Sequence, residues 1–259
     1  MGERTAYTDG IFCWVELATT DTDGAREFYS GLLGWDYDEA PIPDGSAYIT
    51  AKLGDKSVGA MYAQGEDQRA VMPPNWLNYV KTSDADGAAA KAGELGGSVE
   101  IGPFDVMEHG RMAVLKDPQG AYFAVWQPNA HLGAQVVNGP GALSWNQLNT
   151  SNVDGAKSFY TELFGWAAEE VDPESGYFVW KVGEGLNGGG LGIGDGDPSP
   201  PNWTPIFGHA DLAGAIEQIA SSGGTVITDT MEVPGGGKFF AASDPQGAVF
   251  ALFEGDYDD

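Results

Sequence analysis

Apolar residues at three- and four-residue spacing mark four short helices in this chain. Ala25, Phe28, Tyr29 and Leu32 fall on one stripe of a helix that begins after Asp21. The phrase Asp21-Thr22-Asp23-Gly24-Ala25 returns as Asp84 to Ala88, Asn152 to Ala156 and Asp211 to Ala215. In each copy the leading Asp or Asn suits a helix N-cap, because its side chain accepts hydrogen bonds from the first unpaired backbone N–H groups. Gly34, Gly96, Gly165 and Gly223 follow at the distance where a left-handed closing residue is needed, which sets helices of about 10–12 residues. Strand-like segments precede each helix, such as residues 11–19 and 143–150, and alternating segments at 47–53, 58–63 and 177–182 follow. The unit is one strand, one helix and about three strands, used four times, an α+β design.

The repeat also exists at a coarser scale. Residues 12–39 and 143–170 match at 12 of 28 positions, including Trp14/Trp145, Phe28-Tyr29/Phe159-Tyr160 and Gly34-Trp35/Gly165-Trp166. Pro73-Pro74-Asn75-Trp76 aligns with Pro200-Pro201-Asn202-Trp203, and Asp117-Pro118-Gln119-Gly120 with Asp244-Pro245-Gln246-Gly247. Two tandem domains are therefore expected, 1–130 and 142–259, with the Gly-rich stretch 131–141 as linker. The Asp-Pro-Gln-Gly phrases suit tight turns ahead of a closing strand and carry no chemistry by themselves.

Composition narrows the classes of function. Twelve Lys plus Arg stand against 38 Asp plus Glu, a formal charge of −26, which repels phosphate backbones and anionic lipid. Neither a nucleic-acid partner nor a membrane partner is expected. Cys13 is the single cysteine, so an intrachain disulfide framework is excluded and a reduced, cytoplasmic setting is expected. Residues 1–10 hold Glu3 and Asp9 and no apolar run, unlike a signal peptide, and no stretch of about 18 apolar residues occurs anywhere.

Paired strand-helix-strand modules, the phrase Asp-Gly-Ala-x-x-Phe-Tyr-x-x-Leu-x-Gly-Trp and the Asp-Pro-Gln-Gly turn together resemble the vicinal oxygen chelate superfamily. That superfamily includes glyoxalase I, bleomycin-resistance proteins, fosfomycin-resistance enzymes and extradiol dioxygenases. The tandem arrangement is similar to its two-domain actinobacterial members. The resemblance implies that two modules pair into an eight-stranded cup with ligands inside, and that the protein forms homodimers.

It also implies where a metal would be held, since the family's enzymes place His, Gln or Glu on each opening strand and Glu on the closing one. Counted from the helix caps, those positions are Trp14, Leu77, Trp145 and Thr204; counted from the turn glycines, they are Ala124 and Ala251. Indoles and methyls are not donors for Zn²⁺, Ni²⁺, Mn²⁺ or Fe²⁺. His109, His131 and His209 lie at a loop, the linker and a strand end. No metal site of the family's type and no cofactor is expected. The alternative keeps a divalent metal by recruiting Glu16 or Gln147, two residues further along.

Strand parity then places Trp14 and Glu16 inside the first cup, and Trp145, Gln147 and Asn149 inside the second. Tyr79 and Lys81, 63 residues after Glu16 and Ala18, are expected across the first cup, with Lys81 able to pair with Glu16. Tyr122 and Trp126 add to the first wall and Phe253 to the second. Aromatic walls with a few polar groups are the usual make-up of a small-molecule site. Gly188-Gly189-Gly190 and Gly235-Gly236-Gly237 open no helix and precede no Lys-Ser or Lys-Thr, so they read as hairpin loops or close strand approaches rather than phosphate cradles. Cys13, next to Trp14 and expected on the opposite strand face, forms no nucleophile set with the histidines. The expected function is binding or sequestering of a flat or cationic small molecule. A metal-dependent glyoxalase-like lyase, or a hydroxylase or dioxygenase, is the alternative.

Overall fold

The computed structural model describes residues 2–42, 45–172, 175–194, 196–233 and 236–257. Gly235, the first glycine of the second triple-glycine phrase, therefore lies outside the described residues. The four predicted helices are Thr22–Leu33, Ala85–Glu94, Val153–Phe164 and Leu212–Ser221. Asp21, Asp84, Asn152 and Asp211 each accept the N–H of the glycine three residues on, at 2.9–3.1 Å. Gly34 and Gly165 close their helices with φ of 72° and 74°, a region that only glycine enters without strain. A further helix, Glu66–Val71, joins the first two modules.

Two sheets follow the two sequence halves. At the centre of the first, Phe12–Thr19 runs antiparallel to Asn75–Lys81. Each of these strands has a parallel neighbour on its other side, Lys56–Ala63 for the former and Tyr122–Pro128 for the latter. Asp36–Pro41 and Ser98–Val106 form the two edges of this eight-stranded sheet. The second sheet repeats the order around Leu143–Thr150 and Asn202–Gly208 and counts nine strands among the described residues. Gly2–Glu3 pairs with Val136–Val137, so the first residues of the chain are tied to the stretch between the halves, where Ala134, Val136 and Val137 are buried.

The apolar cores do not follow the halves. Phe28, Tyr29 and Leu32 of the first helix share one cluster with Ile219, Phe240 and Phe250 from the second half. Ala89, Phe123 and Val125 share another with Phe159, Tyr160 and Trp203. Each amphipathic helix thus covers its own sheet and packs against a helix of the opposite half.

The repeated motifs are explained by polar bonds within this arrangement. Tyr29 Oη donates to Asp244 Oδ2 at 3.1 Å and accepts from Trp76 Nε1 at 3.0 Å. Tyr160 Oη repeats this with Asp117 Oδ2 at 3.0 Å and Trp203 Nε1 at 2.8 Å. The other oxygen of Asp117 accepts the N–H groups of Gln119, Gly120 and Ala121 at 2.8–2.9 Å. A helix of one half is therefore fastened to the Asp-Pro-Gln-Gly turn of the other, and each Pro-Pro-Asn-Trp phrase supplies the indole that completes the bond set. Trp35 Nε1 and Trp166 Nε1 donate to the carbonyls of Gly141, at the end of the stretch between the halves, and Gly10, in the first half, 2.7 and 2.8 Å away.

Gly188, Gly189 and Gly190 lie inside the strand Gly185–Gly192, and the close strand approach, not the hairpin loop, accounts for them. A Cβ on Gly190 would stand 2.4 Å from the ring of Phe178, which is fully buried and has no room to yield. Gly190→Ala is accordingly expected to cost about 1–3 kcal/mol by overpacking, read as a lower urea midpoint. An unchanged midpoint would count against this packing.

Candidate functional site

Opposite the helices, each sheet presents the face that forms the inside of its cup. In the first half, Val15 and Leu17 point to the helices, while Trp14 joins Ala60, Tyr79, Ala124 and Trp126 on the cup side. The parity reading of Phe12–Thr19 holds from Trp14 onward. It fails one residue earlier, because the pairing shifts between Phe12 and Trp14. The irregularity at Cys13 breaks the alternation, and Cys13 packs in the same cluster as Trp14 rather than on the opposite face. Its thiol is fully buried, and desolvation pushes its pKa upward, so it is no nucleophile.

Glu16 stands at the centre of this face. Tyr79 Oη donates to Glu16 Oε2 at 2.7 Å. Tyr48 also hydrogen-bonds the carboxyl and in turn accepts from Trp14 Nε1 at 3.2 Å. Tyr62, the direct cross-strand partner of Tyr48 and of Ala18, is close enough to feel the charge of Glu16. A small part of Glu16 meets solvent, but protein surrounds the carboxyl on most sides. Burial raises its pKa above the ordinary carboxylate range, and the two tyrosine hydrogen bonds only partly oppose that. The result is a carboxyl held by phenols, with three aromatic rings about it.

Several expectations for this cup need correction or relocation. Lys81 does not pair with Glu16; its ammonium is bonded to Asp9, which also takes the Ser83 hydroxyl. The N-terminal segment brings Asp9 to the end of the strand, where Lys81 reaches it more easily than the carboxyl at mid-strand. Tyr122 sits at the far end of its strand, its hydroxyl 3.4 Å from Glu100 and its ring beneath Lys116, away from Glu16. Trp14 and Trp126 are on the cup face but almost wholly covered, at 4% and 6% exposure. The His131 ring packs edge-on against both, with centroids 4.5 and 5.9 Å away. Desolvation lowers the His131 pKa to about 4, so it is a neutral cover. Trp14, Trp126 and Tyr79 therefore support the site from behind, and the partly open Tyr48 and Tyr62 border it.

The second cup repeats the frame with different chemistry. Trp145 Nε1 donates to Tyr177 Oη at 3.1 Å, reproducing the pair of Trp14 and Tyr48. Gln147 replaces Glu16 and donates to the Leu148 carbonyl at 2.9 Å. Asn149 donates to Asn202 and Thr204 at 3.1 and 3.3 Å. Phe253 lies further along, edge-on to Tyr257 and between the backbones of Gly237 and Gly255. Trp145, Gln147, Asn149 and Tyr177 are all partly open to solvent.

The donor set does not fit a metal of the family's type. Among the described residues no three His, Cys, Asp or Glu side chains converge. On the first cup face, the slots that the resemblance assigns to donors hold an indole, an isobutyl group and a methyl, at Trp14, Leu77 and Ala124. Glu16 is a single carboxyl whose near neighbours are phenols, and one oxygen ligand set of that kind holds a transition metal weakly.

Comparison with known proteins agrees with this architecture. The family model of the Glyoxalase/Bleomycin resistance protein/Dioxygenase superfamily matches residues 11–125 and 142–252. A Mycobacterium bovis protein, CFP32, provisionally named a glyoxylase, is 36% identical over 98% of both chains. The anthracycline biosynthesis protein DnrV of Streptomyces peucetius is 31% identical over 96% of this chain and 95% of its own. Among solved structures, the 2,3-dioxygenase LapB of Pseudomonas sp. KL28 superposes with a TM-score of 0.65 at 15% identity, covering 97% of this chain and 94% of that one. The Mn(II)-bound glyoxalase of Novosphingobium aromaticivorans gives 0.65 at 15% identity, covering 97% and 85%. At such identities the structural likeness concerns the fold.

Proposed function

The chain belongs to the glyoxalase/bleomycin resistance protein/dioxygenase superfamily, and on that premise we propose that its first cup binds a small, flat organic cation without the family's metal. The observation that carries this reading is the setting of Glu16. Its carboxyl is enclosed by Tyr48, Tyr62 and Tyr79, and among the described residues it has no ion-pair partner, the ammonium of Lys81 being committed to Asp9 at the strand end. A carboxylate buried without a counter-charge is costly, and a bound cation offsets that cost. Ring faces add cation–π attraction of about 0.5–2 kcal/mol. The formal charge of −26 raises the local concentration of cations around the molecule.

The names of the relatives, one a glyoxylase and one a biosynthesis protein for anthracyclines, are both compatible with a small organic ligand. A metal-dependent lyase, or a hydroxylase or dioxygenase, is the competing reading. It requires donors beyond Glu16, and among the described residues no group of three His, Cys, Asp or Glu side chains includes it.

Titration calorimetry with benzyltrimethylammonium, on protein treated with chelator, tests the proposal. Saturable binding is expected, weakened at least thirtyfold, or about 2 kcal/mol, in Glu16→Gln, since removing one member of an enclosed charge pair is expensive. Absence of saturable binding, or binding that appears only after Mn(II) is added, would overturn it.

A further inference from the structure

The second cup differs from the first at the positions that decide what can bind. Superposed by the repeat, Glu16 becomes Gln147, Leu77 becomes Thr204, Ala18 becomes Asn149 and Tyr79 becomes Ile206. The ionisable centre is replaced by carboxamides and a hydroxyl. None of these groups titrates.

Their hydrogen bonds leave a specific remainder. The Gln147 amide nitrogen is spent on the Leu148 carbonyl, and the Asn149 nitrogen on Asn202 and Thr204. No donor among the described residues occupies Gln147 Oε1 or Asn149 Oδ1. Tyr177 Oη accepts from Trp145, and its own O–H has no acceptor among the described residues. All three groups belong to side chains partly open to solvent. The cup face therefore offers two amide oxygens as acceptors and one phenol as donor, beside the Trp145 ring.

The wall strand differs as well. Gly189 is the cross-strand partner of Gln147, where Ala60 partners Glu16. A Cβ at Gly189 would fall 2.1 Å from the Tyr177 hydroxyl and 3.1 Å from Trp145 Nε1. Glycine here is what lets Tyr177 lie across the wall strand and present its hydroxyl. Trp145 is also partly exposed, in contrast to the covered Trp14.

We propose that the second cup is a separate site for a neutral aromatic ligand bearing an amide or an equivalent pair of N–H and carbonyl groups. The ligand's N–H meets the oxygens of Gln147 and Asn149, its carbonyl accepts from Tyr177, and its ring lies against Trp145. A neutral amide suits this site because it fills acceptors and donor alike and brings no charge that would need a counter-ion.

The probe is 2-naphthamide, followed by titration calorimetry on the full chain. One saturable site is expected, with affinity unchanged by Glu16→Gln and by saturating benzyltrimethylammonium. Tyr177→Phe keeps the ring and removes the donor, and is expected to weaken binding about fivefold, the effect of one neutral hydrogen bond. Gly189→Ala is expected to weaken it tenfold or more by displacing Tyr177. No saturable binding of 2-naphthamide would overturn the proposal. So would binding that Tyr177→Phe leaves intact, or that Glu16→Gln or the ammonium probe abolishes. Because the two cups are probed by different ligands and variants, failure of the ammonium to bind would count against the first-cup reading alone.

Discussion

Tyr29→Phe and Tyr160→Phe are each expected to lower stability by about 3 kcal/mol, far more than the loss of one surface hydroxyl, because each leaves two buried partners unsatisfied. Removing Tyr29 Oη strips Trp76 Nε1 of its acceptor and Asp244 Oδ2 of a donor, in a region where all three side chains are buried. Tyr160 does the same for Trp203 and Asp117. Each bond set joins a helix of one half to a turn of the other. Both substitutions are therefore expected to lower the stability of the whole chain, seen as a single urea transition moved to lower concentration. Two separate transitions, with only one half affected, would contradict the shared cores. A loss below about 0.5 kcal/mol would contradict the role of the bond sets.

The second large effect concerns pH and the first cup. Burial raises the Glu16 pKa above that of a free carboxyl, so the folded chain holds this proton more tightly than the unfolded chain does. For such a group, folding is unpenalised below the unfolded value. It loses stability as pH rises from there to the folded value, and the penalty is constant above. Glu16→Gln removes the ionisation. The variant is expected to gain on wild type as pH goes from 4 to 8, read as a rising difference between their urea midpoints. Binding of an organic cation runs in the reverse sense, because only the ionised carboxyl attracts it. The affinity of wild type for benzyltrimethylammonium is expected to increase with pH over the same interval, and that of the variant to stay flat. Parallel profiles for the two proteins would show that Glu16 is not the group involved.

Much of this architecture was legible in the sequence because it rests on local rules. The N-caps at Asp21, Asp84, Asn152 and Asp211 and the closing glycines are decided within one helical turn. The parity that sets Trp14 and Glu16 on one face follows from the two-residue period of a strand. What sequence reasoning missed depends on contacts across the fold. Tyr48, Tyr62 and Tyr177 lie on the third and fourth strands of their modules, where no helix cap fixes the count. One signal was available: an offset of 129 aligns Tyr48 with Tyr177, as it aligns Ala60 with Gly189.

Other features had no such signal. The bond of Lys81 to Asp9 depends on where the non-repeating N-terminal segment returns, which no spacing reveals. The repeated Phe-Tyr and Asp-Pro-Gln-Gly phrases were visible, but their pairing across the halves was not, since each half contains both. The displaced Cys13 follows from a single irregularity in strand pairing, which shifts parity for one residue and leaves the next in place.

A crystal soaked in benzyltrimethylammonium gives the most direct view of the central claim, that the first cup is built around a carboxyl among phenols and not around a metal. The account requires density for the ammonium against Glu16, bordered by the rings of Tyr48 and Tyr62. A transition-metal ion held in that cup by three or more protein atoms, or an ammonium bound elsewhere with Glu16 untouched, would contradict it.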